Sequence, residues 1–292
     1  MKKSKILSFV LALCLIIPCA LVFTACKDND DTWNGKTAKV SSAVNGVISI
    51  DSAEEFAGFA KSVNDGKDYA GITIKLTKDL NLKNKEWTPI GYGSNSGDNT
   101  LDANSTVFRG VFDGQHHTIE NFKITTFIGG STTEGAAVGV GLFGNIQGAT
   151  IKNLDIENAI VKGHHYVGGA VGFARGSVVN NIDVEDVKIT CTFKGGNEEG
   201  DKAGAVIGFS GNTMTANGVV KDCSADDCSV SAARDAGQVI GCLSTDNYGA
   251  GVTTTSTQSN NEADDVSVTD NNSNNDNIND NVKNEIVGRV KG

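Results

Sequence analysis

Carboxylates dominate the polar chemistry of this sequence. When its internal repeats are aligned, Glu157, Glu185, Asp226 and Asp264 fall in one column and Asn158, Asp186, Asp227 and Asp265 in the next. Like charges one strand apart repel. Bound Ca2+ would offset that repulsion, since oxygen-rich sites suit hard cations. Its candidate ligands are Glu157, Glu185, Asp226, Asp264, Asp186, Asp227 and Asp265. The alternative is a solvated acidic edge, where salt screens the charges and the charges discourage pairing with another edge. No other cofactor is implied.

Two histidine pairs, His116-His117 and His164-His165, lie in different repeats. A zinc centre needs three or four converging ligands, and neighbours in a strand face opposite ways. Turn or surface roles are the expectation for both pairs. Hydrolysis or elimination on a polysaccharide would need paired carboxylates at a set separation, or a base beside a cation-binding acidic cluster. Asp155, Asp183 and Glu185 are available, with Lys152, Lys188 and Lys221 as basic neighbours, but no spacing selects a pair. A phosphate loop, a Gly-x-Ser-x-Gly elbow, a Cys-x-x-Cys pair and a basic-aromatic patch are all missing from the sequence, which leaves nucleotide, redox and nucleic-acid functions without support.

The elements that carry these residues start behind an export signal. Lys2, Lys3 and Lys5 precede an apolar run from Ile6 to Phe23, and Thr24-Ala25-Cys26 follows. That order describes a secretory signal. The segment also resembles a bacterial lipobox, which implies cleavage after residue 25, lipidation of Cys26 and attachment at the outer face of a bacterial cell membrane. Phe23 stands where such signals usually have Leu. The formal charge of −10 becomes −13 once the three lysines are removed. So acidic a surface repels nucleic acid and anionic lipid, which leaves the lipid anchor as the expected membrane contact.

Residues 26–45 read as a polar tether. Residues 46–106 read as a cap with the first strands. Within the cap, Ser52 and Glu55 form a capping box, Phe56, Phe59, Ala60 and Val63 follow at helical spacing, and Asp65-Gly66 ends the helix. An amphipathic helix ahead of many strands suits the protection of an open sheet edge. From residue 107 to 269 a unit recurs. Gly141-Leu142-Phe143-Gly144 matches Gly169-Ala170-Val171-Gly172, Ala205-Val206-Ile207-Gly208 and Gln238-Val239-Ile240-Gly241. Inward positions then follow at Phe122/Ile124, Leu154/Ile156, Ile182/Val184 and Cys223/Ala225, and again at Phe127, Ala159, Val187, Cys228 and Val266. Such repeats bury their apolar faces only against neighbours. Asn121, Asn153, Asn181, Asp222 and Asn260 share one position, which predicts a ladder of side chains at a bend, about 4.8 Å apart. Cys191, Cys223, Cys228 and Cys242 fall where sister copies hold apolar residues. They are expected to act as small buried hydrophobes, with Cys223–Cys228 the pair to check for a disulfide. Residues 270–282 form an Asn/Asp-rich loop, predicted to be poorly ordered, and residues 283–292 a terminal strand.

The cluster Trp87-x-Pro89-Ile90-Gly91, Phe108-x-Gly110-x-Phe112-Asp113-Gly114-x-x-His117-Thr118-Ile119 and Gly141-Leu142-Phe143-Gly144-Asn145 resembles the GLUG-repeat family of bacterial surface proteins, over roughly residues 45–268. The resemblance implies a right-handed parallel β-helix of pectin-lyase-like architecture on an exported, adhesive or glycan-associated protein. It carries no catalytic residues across. Later copies depart from the pattern: Phe173, Phe209 and Cys242 stand where the first has Asn145, and Asn261 falls at an inward site.

The fold expected is therefore all-β, a right-handed parallel β-helix with an N-terminal helical cap. The function expected is a non-catalytic cell-surface binding or adhesion module for a glycan or a host protein. A carbohydrate-active enzyme and a structural spacer are the alternatives. A groove with converging acid, base and aromatic platform would mark the enzyme.

Overall fold

A computed structural model describes residues 33–92, 95–96, 100–101, 106–126, 139–192, 201–244, 254–270, 281–282 and 285–291 of the chain. The signal segment, Cys26, Phe127 and nearly all of the Asn/Asp-rich loop lie outside the described residues. The fold is all-β with parallel sheets, one helix excepted. A sheet of fourteen strands and two sheets of five hold nearly all the pairing, and among the described residues the only antiparallel strand pair is the short one between Asn95–Ser96 and Thr100–Leu101.

The parallel register follows from the repeat. Each copy contributes a series of short strands, and each strand pairs with its equivalent in the next copy. Thr150–Glu157 pairs with Val178–Glu185, Ile160–Gly163 with Lys188–Cys191, Tyr166–Gly168 with Lys202–Gly204, and Val171–Arg175 with Ile207–Gly211. The same order repeats through Ser229–Ala232, Asp235–Gly237 and Ile240–Ser244 to Val287–Lys291. That last strand, the expected terminal strand, is the final segment of a fifth copy.

Bends between strands fall at residues that tolerate left-handed backbone. Asn153, Asn181, Asp222 and Asn260 have φ of 51–55°, and Asn158, Asp186, Asp227 and Asp265 have φ of 44–54°. Short Asn and Asp side chains compensate locally for a conformation that most residues avoid. These two columns mark two of the bends in each copy.

The first copy registers differently from the expectation. Asp113 opposes Lys152 and His117 opposes Leu154, so Gly114, Gln115 and His116 together face the single residue Asn153. Gln115 and His116 take up the surplus in left-handed backbone, φ 54° and 61°. Downstream of this bulge, Glu120 opposes Glu157 and Lys123 opposes Ile160. Asn121 therefore belongs to the second corner, beside Asn158, and Phe122 to the column of Ala159. Leu154 and Ile182 do stack as expected, and both are buried with Cys223.

Inward side chains form one continuous core, and the helix closes it at one end. The helix Ala53–Asn64 is capped by Ser52, whose Oγ accepts from the Glu55 amide at 3.4 Å. Its buried face carries Phe56, Phe59, Ala60 and Val63. Phe56 stacks on Trp87 with ring centroids 4.8 Å apart, and Phe59 meets Phe108 edge to face at 5.5 Å. Outside the helix, Ala38 N–H donates to Glu54 O, and the chain passes so close that a Cβ on Gly58 would lie 1.8 Å from Ala38 O.

The Gly-apolar-Gly unit turns the chain from one five-stranded sheet into the other. Its backbone groups pair from copy to copy: Leu142 N–H to Gly169 O, Gly169 N–H to Ala205 O, Ala205 N–H to Gln238 O and Gln238 N–H to Glu285 O. The two sheets meet backbone to backbone here, so a Cβ on Gly172 would sit 2.1 Å from Val140 N. Beyond them Tyr166, Phe173, Phe209 and Cys242 make a second, smaller apolar cluster. All four cysteines that the structure describes are buried free thiols. Burial pushes the Cys223 thiol up to about 12 and the Cys228 thiol up to about 11, which keeps both protonated and unreactive.

Candidate functional site

The acidic column exists as expected and is one residue longer. Glu157 faces Glu185, Glu185 faces Asp226, and Asp226 faces Asp264 across successive parallel pairs. Glu120 precedes them, facing Glu157. The altered register of the first copy hid Glu120 from the sequence alignment. A second outward column, Thr118, Asp155, Asp183, Ser224 and Glu262, runs two residues away. Both columns belong to one parallel sheet, whose strands stand about 4.8 Å apart.

Electrostatics follow from that packing. Burial pushes the Asp155 carboxyl up, and the facing Asp183 adds to it. Burial also raises Glu157, with Glu185 and Glu120 contributing. Asp227 is raised mainly by its neighbour Asp226. Asp226 and Asp264 instead accept from the next residue's amide, Asp227 N–H at 3.0 Å and Asp265 N–H at 3.1 Å. The corner residues Asp186, Asp227 and Asp265 thus project from left-handed turns beside the Glu185, Asp226 and Asp264 strand ends. Among the described residues no three His, Cys, Asp or Glu side chains group closely enough to hold a metal ion.

The first corner is a true side-chain ladder. Asn181 Nδ2 donates to Asn153 Oδ1 at 2.9 Å, and Asn153 Nδ2 donates to Asp113 Oδ1 at 2.9 Å. Asp113 starts the ladder where Asn121 was expected. Asn260 Nδ2 donates to Asp222 Oδ1 at 3.0 Å. Burial pushes Asp113 up, but contacts from Gln115, Asn153 and Lys152 outweigh it and hold the carboxyl below its ordinary value. Asn261, at its inward position, satisfies itself by donating to Val220 O and accepting from Cys223 N–H.

The histidines do not converge. His117 Nδ1 lies 2.9 Å from Asp79 Oδ1, which also accepts from the Thr118 amide. His164 Nδ1 lies 3.0 Å from Thr192 Oγ1, and His165 is buried. Lys152 reaches Asp113 at 3.2 Å, so its charge serves the corner.

Two groupings escaped the sequence reading. Lys202 and Asp235 are buried charges on paired strands, 3.6 Å apart, and Arg289 approaches the same Asp235 oxygen at 3.4 Å. The alignment of Lys202 with Asp235 on paired strands is the signal that the sequence offers. The second is a groove of about 310 Å3 beside the helix, bordered by Trp33, Trp87 and Tyr92. These aromatics are far apart in sequence and share no repeat position.

No family model matches the chain, and neither a curated protein nor a solved structure matches it.

Proposed function

We propose that the chain is a lipid-anchored, cell-surface binding module built on a right-handed parallel β-helix, with a glycan or a surface protein as its ligand. The observation that carries the reading is the pair of outward polar columns, Thr118 to Glu262 and Glu120 to Asp264, held in strict register on one sheet. A scaffold whose core is filled by apolar columns holds such a face rigid, and ligands gain from contacts that need no ordering on binding. The GLUG-type motifs and the lipobox-like segment ending in Cys26 favour an exported, adhesive role.

A glycan array run beside a polysaccharide-degradation screen tests this reading. Binding without turnover supports it. Release of unsaturated or reducing ends would replace it with a carbohydrate-active enzyme, and silence in both assays would remove the glycan and leave a surface-protein ligand or a spacer. Cys26→Ala should abolish the mass added by a lipid to the mature N-terminus; an unchanged mass would remove the anchor from the proposal.

A further inference from the structure

Both tryptophans of the chain border one groove, although the sequence is poor in aromatics. Its floor is apolar: Trp33, Trp87 and the helix residues Ala57 and Ala60, all buried or nearly so. Its rim is polar and amphipathic: Thr37, Lys61, Asn64, Thr88 and Tyr92. We propose that this groove holds the terminal one or two pyranose rings of a neutral glycan, an inference that rests on the binding-module reading and gives it a site apart from the outward columns.

Three features lead there. First, the shape suits a sugar. Pyranoses present an apolar C–H face and a hydroxyl edge, and aromatic rings with nearby hydroxyl and amide groups match both. Tyr92 offers the exposed ring, 42% accessible. Its backbone is fixed by Thr106, whose Oγ1 accepts from Tyr92 N–H at 2.9 Å and whose N–H donates to Tyr92 O at 2.8 Å. The volume of about 310 Å3 lies at the small end of the range of ligand sites, roughly 300–1,000 Å3.

Second, the walls are already in place. Asn64 ties the helix to the segment below it, donating to Pro89 O at 3.0 Å and accepting from Gly91 N–H at 2.8 Å. The indole N–H groups are engaged with the backbone, Trp33 with Lys36 O at 2.7 Å and Trp87 with Leu142 O at 3.2 Å. The two indoles are 8% and 3% exposed and pack on each other, and Trp87 packs on Phe56, so they form a fixed floor under the groove. A preformed site loses little entropy on binding.

Third, charge selects a neutral ligand. The lining holds one charged side chain, Lys61, and its ammonium lies 2.6 Å from Asp65. The protein around it is acidic, formally −10. Polyanions are repelled at a distance and meet, in the described lining, an ammonium already paired with Asp65.

Because both indoles line the groove, intrinsic tryptophan fluorescence of the full chain reads its occupancy. The probes are cellobiose, lactose, maltose and mannobiose, with a hyaluronan oligosaccharide as the acidic control. At least one neutral disaccharide should give a saturable change, and hyaluronan none. Tyr92→Ala should weaken that binding tenfold or more at unchanged melting temperature. Thr88→Phe, which crowds the rim at another residue, should weaken it independently. No saturable change with any neutral probe, or wild-type affinity in both variants, overturns the groove. Array hits that persist in both variants would overturn it while leaving the binding module standing, whereas an array silent for the wild-type chain overturns both the groove and the glycan as the module's ligand.

Discussion

The same apolar columns end differently at the two ends of the sheets. Beside the helix, Phe56, Phe59, Phe108, Phe112 and Phe143 touch ring to ring, and each is fully buried. In the fifth copy, Ala263, Val268, Ile286 and Val287 are only partly buried and Val290 is 63% exposed. Their equivalents one copy earlier, Ala225, Val230, Val239 and Ile240, are buried. The residue types hardly change between the two copies. Burial in a repeat is a property of the neighbour, and the helix acts as a neighbour at one end.

Truncating an apolar residue should therefore cost far more beside the helix than in the fifth copy. Phe56→Ala removes a ring packed on Trp87 and Phe112 and should destabilise by about 3–5 kcal/mol. Val287→Ala, at a half-open position, should cost about 1 kcal/mol or less. Chemical denaturation of both variants measures the difference. Equal losses would break the comparison.

Gly58→Ala probes how tightly the outer segment lies on the helix. Its new methyl would meet Ala38 O, which belongs to backbone and cannot rotate away. The segment must lift, at about 1–3 kcal/mol. The Trp33–Trp87 contact, now 5.5 Å, should loosen with it. A red-shifted tryptophan emission would report that; wild-type emission with wild-type stability would show that the segment does not lie tightly on the helix.

How much of this was readable in the sequence depends on the length scale of the signal. The helix face and the repeating Gly-apolar-Gly unit are local patterns, and the structure keeps both; of the capping box it keeps the Ser52 half, while the Glu55 carboxylate accepts from the Asp51 amide instead. The Asn column was visible because every corner needs a left-handed residue. Its first member was misplaced because Asp113-Gly114-Gln115-His116 adds two residues to a corner, and counting from downstream motifs cannot see a bulge. Glu120 was lost for the same reason. The aromatic groove left no periodic trace. Trp33, the helix and Trp87 are brought together by chain reversal alone, and repeat alignment is blind to contacts outside the repeat.

The corner ladder extends the comparison with a smaller effect. Asn181→Ala removes a donor to Asn153 in the middle of the ladder and places Ala at φ 55°. Both act in one direction, giving a loss of about 2–3 kcal/mol. Asn260→Ala has the same backbone strain, φ 53°, but its bond to Asp222 is solvent-exposed. A loss of about 1–2 kcal/mol is expected there, mostly from the backbone. If the two variants lose equally, the side-chain ladder adds nothing beyond conformation.

The smallest effect separates the two corners by their response to pH. Asp113 sits below its ordinary value, so its contribution is complete above the unfolded value, about 3.9, and is lost as pH falls through the folded one. Asp155, Glu157 and Asp227 sit above theirs, so they oppose folding at neutral pH, and that opposition fades as pH falls through their folded values. Stability should thus rise slightly on mild acidification and fall below about pH 4. Glu185→Gln removes a charge facing Glu157. It should raise the melting temperature at pH 7, with the gain shrinking both near pH 4 and at high salt, because exposed charges are screened. Ca2+ and Mg2+ at equal ionic strength should act alike on the wild-type column, as counterions. A calorimetric heat and a thermal shift specific to Ca2+, both abolished by Glu185→Gln, would show instead that the column closes around a cation.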